Sequence, residues 1–217
     1  MFNDVIKLKE SSTHLLSWQL NDRQICDLEL LLNGAFNPLK GFMDKDDYNS
    51  VRDNMRLANG DLWPIPINLD VTENFSEQIN FGDKIVLRDK EGFPLALLTI
   101  SDIWKPDLLL EAELVYGTKD LNHPGVDYLL NSTNEFYVGG TLNGISYPRH
   151  YDYLKFRHSP EDLKKIFKNL GWEKIIAFQT RNPLHCAHVE MTKRALNENN
   201  AKLLIHPVVG MTKPGDV

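Results

Sequence analysis

The sequence has little cysteine and no long apolar run, and each shortage excludes a class of protein. Only Cys26 and Cys186 occur among 217 residues, so a framework of several disulfides is excluded and at most one bridge can form. No stretch approaches the roughly 18 to 20 apolar residues of a membrane-spanning helix. Residues 1–7 lack the basic start and apolar run of a secretion signal. We therefore expect reduced thiols, no membrane partner and a cytoplasmic location.

Two common nucleotide-binding motifs are also missing. The sequence has neither the G-x-x-x-x-G-K-[ST] phosphate loop nor the G-x-G-x-x-G dinucleotide fingerprint. Its composition, 42% hydrophobic and 25% charged, is that of an ordinary soluble globular protein rather than a disordered one. Any nucleotide site must therefore use a different arrangement of residues.

The charge is acidic overall but unevenly distributed. Residues 1–150 contain 13 Lys and Arg against 23 Asp and Glu, a net charge of -10, whereas residues 151–217 contain 11 against 7, a net charge of +4. The acidic part argues against a nucleic-acid partner, and the basic part favours anionic ligands. Alternatively, Lys164, Lys165 and Lys168 simply solvate one face of a helix.

The first part of the chain has the pattern of a compact β-rich domain, which we place at residues 1–155. Short apolar runs at 65–71, 84–88 and 96–100 are separated by frequent turn signals, among them His123-Pro124-Gly125 and Gly139-Gly140. Two helices are predicted to interrupt the strands, at 23–32 and 46–55. The Asn33-Gly34 pair predicts the end of the first helix.

The second part, residues 156–217, has the pattern of an α/β domain. Ser159 and Pro160 predict the start of a helix that ends near Gly171. A strand at 173–178, a helix at 187–196 and a strand at 202–209 follow, an order that indicates a right-handed crossover in a parallel sheet. Sheets commonly have five or six strands, so we expect a fragment or a domain completed by another chain. Residues 212–217 are predicted to form a loop.

A cluster of polar residues falls between the predicted strand and helix. Gln179, Arg181 and Asn182 precede His185 and His188, and amide, guanidinium and imidazole groups all donate hydrogen bonds to oxyanions. The start of a helix favours negative charge, and ligands collect at the carboxyl ends of strands in open α/β sheets. Asn182 could donate to a phosphate oxygen or cap the helix, and these two roles can coexist. The pattern predicts an anion site at this turn.

The chemistry that this cluster supports is narrower than anion binding in general. Cys186 has no evident set of acid partners, and Thr180 has no base beside it in sequence, so no activated nucleophile is evident. The residues suit phosphoryl or nucleotidyl transfer, in which catalysis is positioning and charge neutralisation. A zinc site at His185 and His188 would need further ligands that the spacing does not provide, so no metal ligands are predicted. Two histidines satisfied locally at a helix start remain another alternative.

Four segments resemble the ATP sulfurylase (sulfate adenylyltransferase) family. The most specific runs from Gln179 to His188 and reads QTRNPLHCAH; the others are Leu203–Asp216, Cys26–Met43 and Asn54–Gly60. This resemblance implies a β-rich PUA-like N-terminal domain followed by an incomplete Rossmann-like nucleotidyltransferase domain, α/β overall. It also implies that MgATP reacts with sulfate to give adenylyl sulfate and pyrophosphate. We further expect a homo-oligomer in the full-length protein.

The resemblance implies roles for individual residues. Gln179 and Arg181 are similar to residues that contact sulfate, and Gln179 to Asn182, which includes Thr180, is similar to a segment lining the ATP α-phosphate. His185 and His188 resemble the pair that contacts the ATP phosphates and stabilises the transition state. Thr180, Arg181, Asn182 and the two histidines are thus the expected catalytic residues.

The sequence departs from the family pattern in two ways. Cys186 stands where many members have arginine, so one positive charge near the site is absent. A later Gly-Arg-Asp-His-type motif, which supplies further contacts to ATP and sulfate, has no counterpart. We therefore expect about half of an active site. The alternatives are a non-catalytic binding or regulatory module with a vestigial nucleotide site and, from the histidine pair, a zinc hydrolase.

Overall fold

The structure, a computed structural model, describes residues 14–208. The chain divides into two compact units between Phe156 and Arg157. The predicted loop at 212–217, the last residue of the predicted strand at 202–209, and residues 209–216 of the segment Leu203–Asp216 lie outside the described residues. Within residues 14–208, the structure contains no helix with the length and apolar character needed to cross a membrane.

The first unit is built on a five-stranded sheet with the strand order β1-β3-β4-β5-β2. β1 pairs with β3 in parallel, and the other neighbours are antiparallel. The strands are β1 (Ser17–Gln19), β2 (Leu69–Val71), β3 (Lys84–Arg88), β4 (Pro94–Trp104) and β5 (Phe136–Gly144). The helices are α1 (Asp22–Leu32), α2 (Lys45–Asn54), α3 (Glu73–Ser76), α4 (Leu108–Tyr116) and α5 (Pro124–Asn131).

The start of α1 shows how local sequence sets these elements. The side chain of Asn21 accepts a hydrogen bond from the backbone N–H of Gln24, and the Gln24 side chain accepts one from the backbone N–H of Asn21. Two backbone N–H groups that have no partner within the helix are thereby satisfied. Leu28 and Leu31 are buried against the sheet, and Asn33 ends the helix. The sequence prediction for this helix is confirmed.

Four details of the predicted first unit are wrong, and three of them concern helices and strand length. The helices α3, α4 and α5 were not expected, and the His123-Pro124-Gly125 signal marks the start of α5 rather than an isolated turn. The run at 65–71 forms a strand only over Leu69–Val71. Since α4 is apolar on nearly all sides, its sequence has no helical stripe to identify it.

The Gly139-Gly140 pair lies inside β5 and not at a turn. A Cβ on Gly139 would collide with the backbone of Met43 and Asp44, and one on Gly140 would collide with the carbonyl oxygen of Thr99. Glycine is therefore required at both positions, because neighbouring backbone leaves no room for a Cβ atom. Close approach of another backbone is one of the reasons for which glycine occurs inside strands.

The second unit consists of α6 (Pro160–Asn169), β6 (Ile175–Thr180), α7 (Cys186–Asn199) and β7 (Lys202–Pro207). Ser159 caps α6 through a hydrogen bond from the N–H of Asp162, as predicted, and Gly171 has the positive φ of a helix stop. β6 and β7 pair in parallel, which confirms the predicted strand direction. The predicted α/β fold class is confirmed, with β6 beginning and ending two residues later than expected.

A buried carboxylate lies in the core of the first unit. Tyr48 and Tyr137 each donate a hydrogen bond of 3.0 Å to the same Oε2 atom of Glu111. Burial raises the pKa of Glu111, and the two hydroxyl donors offset this only in part. The folded state therefore binds the Glu111 proton more tightly than the unfolded chain does.

We predict that this difference makes Glu111 a source of pH-dependent stability. Where the folded state holds more protons, the free energy of unfolding falls as pH rises. This loss should begin near the ordinary glutamate pKa of 4.5 and end once the pH passes the raised pKa. Glu111→Gln should flatten this part of the plot of unfolding free energy against pH. Urea denaturation of the chain at a series of pH values in this range measures the effect.

The matched control is Glu113→Gln on the same helix, where the carboxylate is exposed and paired with Lys119 at 2.7 Å. This variant should leave the slope unchanged because a surface pair contributes little. Equal slopes in wild type and Glu111→Gln would contradict the assignment.

Candidate functional site

The predicted polar cluster lies where β6 ends and α7 begins. Thr180 is the last residue of β6, residues 181–184 form the turn, and Cys186 is the first residue of α7. Thr180 pairs with Pro207 at the end of β7, so both parallel strands end at the same edge. Gln179 and Thr180 belong to the strand and not to the turn, because β6 is longer at this end than predicted.

The two histidines lie together at the start of α7. His185 is the residue before the helix and His188 is in its first turn, with ring centroids 5.5 Å apart. The backbone N–H of His185 donates a long hydrogen bond of 3.4 Å to Nδ1 of His188. The His188 ring also lies against Phe178, with centroids 5.6 Å apart. This strand-borne aromatic ring and the helix start together orient His188.

The hydrogen bond to His188 also determines which ring nitrogen can act as a donor. An Nδ1 atom that accepts from a backbone N–H carries no proton, so the proton of the neutral ring is on Nε2. His188 is half-buried, and Nε2–H is then the donor that its ring can offer to a ligand. An N–H donor in the first turn of a helix suits an anion.

Thr180 and Asn182 form a closed turn around Arg181. The Asn182 N–H donates to the Thr180 hydroxyl at 3.1 Å, and that hydroxyl donates to the Asn182 carbonyl oxygen at 2.9 Å. Asn182 does not cap α7, because the residue at the cap position is His185. The alternative role suggested for Asn182 is therefore wrong.

The remaining predicted residues lie next to this turn in the chain. Gln179, Arg181, Asn182 and His185 are all exposed, as is Cys186 at the first position of α7. The structure brings His185 into contact with His188, and Thr180 into contact with Asn182. At the carboxyl edge of the sheet, Gln179 precedes the closed turn and Arg181 lies within it.

Strand pairing adds one polar residue that was not selected from the sequence. His206 is the register partner of Gln179 on β7, and it is exposed. Residues paired in register across parallel strands share a face of the sheet. The useful signal was the position of His206 near the carboxyl end of the second predicted strand.

Two observations bear on the other interpretations of the site. Among residues 14–208, no group of three or more His, Cys, Asp or Glu side chains could hold a metal ion. Two clefts of about 430 and 520 Å³ lie in the first unit, and neither is lined by a residue of the turn. The side chains of the predicted anion site lie instead at the carboxyl ends of β6 and β7.

Comparison with protein families divides the chain in two. Residues 3–147 match a PUA-like domain family, and residues 154–217 match the ATP-sulfurylase family. The second match includes the complete turn between β6 and α7.

Similar proteins include several fungal sulfate adenylyltransferases. The chain is 52% identical to that of Kluyveromyces lactis over 95% of its length and 49% identical to that of Saccharomyces cerevisiae over 99%. It spans 41% and 42% of these two relatives, respectively.

A solved structure described as a hexameric APS kinase from Thiobacillus denitrificans is also similar. It is 32% identical, with a TM-score of 0.78, and the match covers 97% of this chain and 37% of that chain. The predicted family is confirmed by these matches. The chain therefore belongs to the ATP sulfurylase family, with a PUA-like domain match that precedes its ATP-sulfurylase match.

Proposed function

We propose that this chain provides part of the active site of a sulfate adenylyltransferase, which converts ATP and sulfate to adenylyl sulfate and pyrophosphate. This reaction would be the first step of sulfate activation. The observation that carries the proposal is the pair His185 and His188 at the start of α7, beside the closed turn that contains Arg181.

The proposed reaction needs no covalent enzyme intermediate. A sulfate oxygen attacks the α-phosphorus of ATP, a new phosphorus–oxygen bond forms, and the bond to the β-phosphate bridging oxygen breaks to release pyrophosphate. Both reactants are anions, so positive charge and N–H donors are needed to bring them together. No residue of the turn has to act as a nucleophile.

The residues divide between the two substrates. Arg181 offers a planar fork of donors suited to an oxyanion, and Gln179 adds a neutral amide, so we assign both to sulfate. His185 and His188 are assigned to the ATP phosphates because their rings lie at the helix start, where backbone N–H groups also favour negative charge. Thr180 and Asn182 line the ATP α-phosphate between these groups.

Magnesium enters this scheme with the nucleotide. Mg²⁺ usually keeps several waters and bridges the phosphates of its substrate, with one or two protein carboxylates. The turn itself contains no carboxylate, so its residues fit a metal that is held by ATP. We therefore assign MgATP as the substrate and place no protein ligand for magnesium in this turn.

The organisation of the whole protein is part of the proposal. We assign residues 1–155 to the PUA-like domain and 156–217 to the first part of the catalytic domain. Since the relatives are more than twice as long as the matched span, full activity would require the additional length that they have. We also propose that the full-length protein is a cytoplasmic homo-oligomer without a nucleic-acid or membrane partner.

We predict that a completed chain, joined after Val217 to the following residues of the Saccharomyces cerevisiae relative, releases pyrophosphate from ATP only when sulfate is present. Arg181→Ala should lower kcat/KM for sulfate by roughly 100-fold, the usual effect of losing one donor to a reacting oxyanion. A coupled pyrophosphate assay measures both results.

The matched control for that variant is Arg194→Ala, which removes an exposed arginine of α7 that pairs with Glu190 at 2.8 Å. It should keep wild-type kinetics. A well-folded completed chain with no activity would contradict the enzymatic proposal and favour a non-catalytic nucleotide-binding module.

We also predict that His188→Ala reduces turnover much more than stability. Its ring is only half-buried, so the free energy of unfolding should change by about 1 kcal/mol or less, whereas kcat should fall roughly 100-fold if Nε2 donates to the transition state. Steady-state kinetics and urea denaturation on the same preparation test this. His158→Ala, an exposed histidine outside the turn, is the control, and unchanged kinetics for His188→Ala would refute the role.

A further inference from the structure

We infer that Thr180 is a positioning residue: its hydroxyl shapes the turn that aims Arg181, and it does not donate to a substrate anion. The inference rests on the proposed function and changes one of its assignments, since Thr180 itself was placed among the residues that line the ATP α-phosphate. It starts from the two hydrogen bonds that join Thr180 to Asn182.

The hydroxyl of Thr180 has no donor left for a ligand. A hydroxyl group has one O–H donor and two acceptor lone pairs. The O–H is donated to the Asn182 carbonyl oxygen at 2.9 Å, and one lone pair accepts the Asn182 N–H at 3.1 Å. What remains is a lone pair, which repels the oxygens of sulfate and phosphate.

The backbone of Thr180 is committed as well. The N–H of Val208 donates to the Thr180 carbonyl oxygen at 2.8 Å, so the end of β6 is held to the chain that follows β7. Thr180 is thus fixed to the sheet through its backbone and to the turn through its side chain. This makes it the link between a rigid element and the residues that follow.

The turn closed by Thr180 contains a single residue, Arg181. Both polar backbone groups of Asn182 are tied back to Thr180, and Pro183 restricts Asn182 to extended conformations from the other side. The Cα–Cβ direction of Arg181 is then set before a ligand binds. An arginine that is aimed in advance loses less entropy on binding sulfate, so its contribution to affinity is larger.

A positioning hydroxyl predicts different effects for two small substitutions of Thr180. Thr180→Val keeps the branched shape but removes both hydrogen bonds to Asn182. Thr180→Ser keeps the hydroxyl and loses only the methyl group that restricts the side-chain rotamer. A positioning hydroxyl is therefore rescued by serine and not by valine.

The first test is hydrogen exchange of backbone amides in this chain, which requires no activity. The Asn182 N–H should exchange roughly three to ten times faster in Thr180→Val, as expected for the loss of one hydrogen bond of ordinary net strength. It should keep its rate within about twofold in Thr180→Ser. The Lys202 N–H, which donates to the Lys174 carbonyl at 2.9 Å, is the internal reference and should not change.

The second test separates binding from turnover in the completed chain. Thr180→Val should raise the KM for sulfate roughly tenfold, because the Arg181 side chain is no longer held in the orientation that binds sulfate. The KM for ATP and kcat should change by less than about threefold, because no donor to the transition state is removed. Thr180→Ser should restore the sulfate KM.

The outcomes distinguish the inference from the proposed function. Wild-type exchange at Asn182 in Thr180→Val, or a fall in kcat without a rise in the sulfate KM, would overturn the positioning role. If the wild-type completed chain releases no pyrophosphate, the proposed function fails. In that case, the second test is titration of this chain with sodium sulfate. Weaker sulfate binding by Thr180→Val than by wild type supports the positioning role, and equal affinities overturn it.

Discussion

The candidate site depends on one constraint, the parallel pairing of β6 with β7. Two parallel strands cannot be joined by a tight turn, so the chain must leave the end of β6, cross over as α7 and return. This places the start of a helix directly after the end of a strand. The free N–H groups of α7 and the side chains at the end of β6 therefore meet at one edge, and they can do so only because the strands run the same way.

The same constraint explains why the chemistry requires few residues. The helix start contributes backbone N–H groups and a favourable dipole. The strand contributes fixed anchors: Phe178 contacts the His188 ring, and Thr180 closes the turn around Arg181. The excess of basic residues in 151–217 adds a field that attracts anions, even though the whole chain carries a net charge of -6. The proposed function thus rests on ordinary donors placed on rigid elements.

Much of this arrangement could be predicted from sequence, for reasons that are local. Ser159 and Pro160 identify the start of α6, and apolar strands spaced around a helix indicate parallel pairing. The details that failed depend on distant contacts. Glycine at 139 and 140 is demanded by backbone from Met43, Asp44 and Thr99, and the apolar α4 has no stripe to reveal it. In the site, the His185 cap and the partnership of His206 with Gln179 likewise arise from register and geometry, which composition does not encode.

The central claim is that the turn between β6 and α7 binds the two reacting anions side by side. The most direct measurement is a crystal structure of the completed chain with adenylyl sulfate bound. The account predicts sulfate oxygens within hydrogen-bond distance of the Arg181 guanidinium and the Gln179 amide, and phosphate oxygens facing the start of α7 and Nε2 of His188. Adenylyl sulfate bound elsewhere, with this turn making no contact to it, would contradict the account.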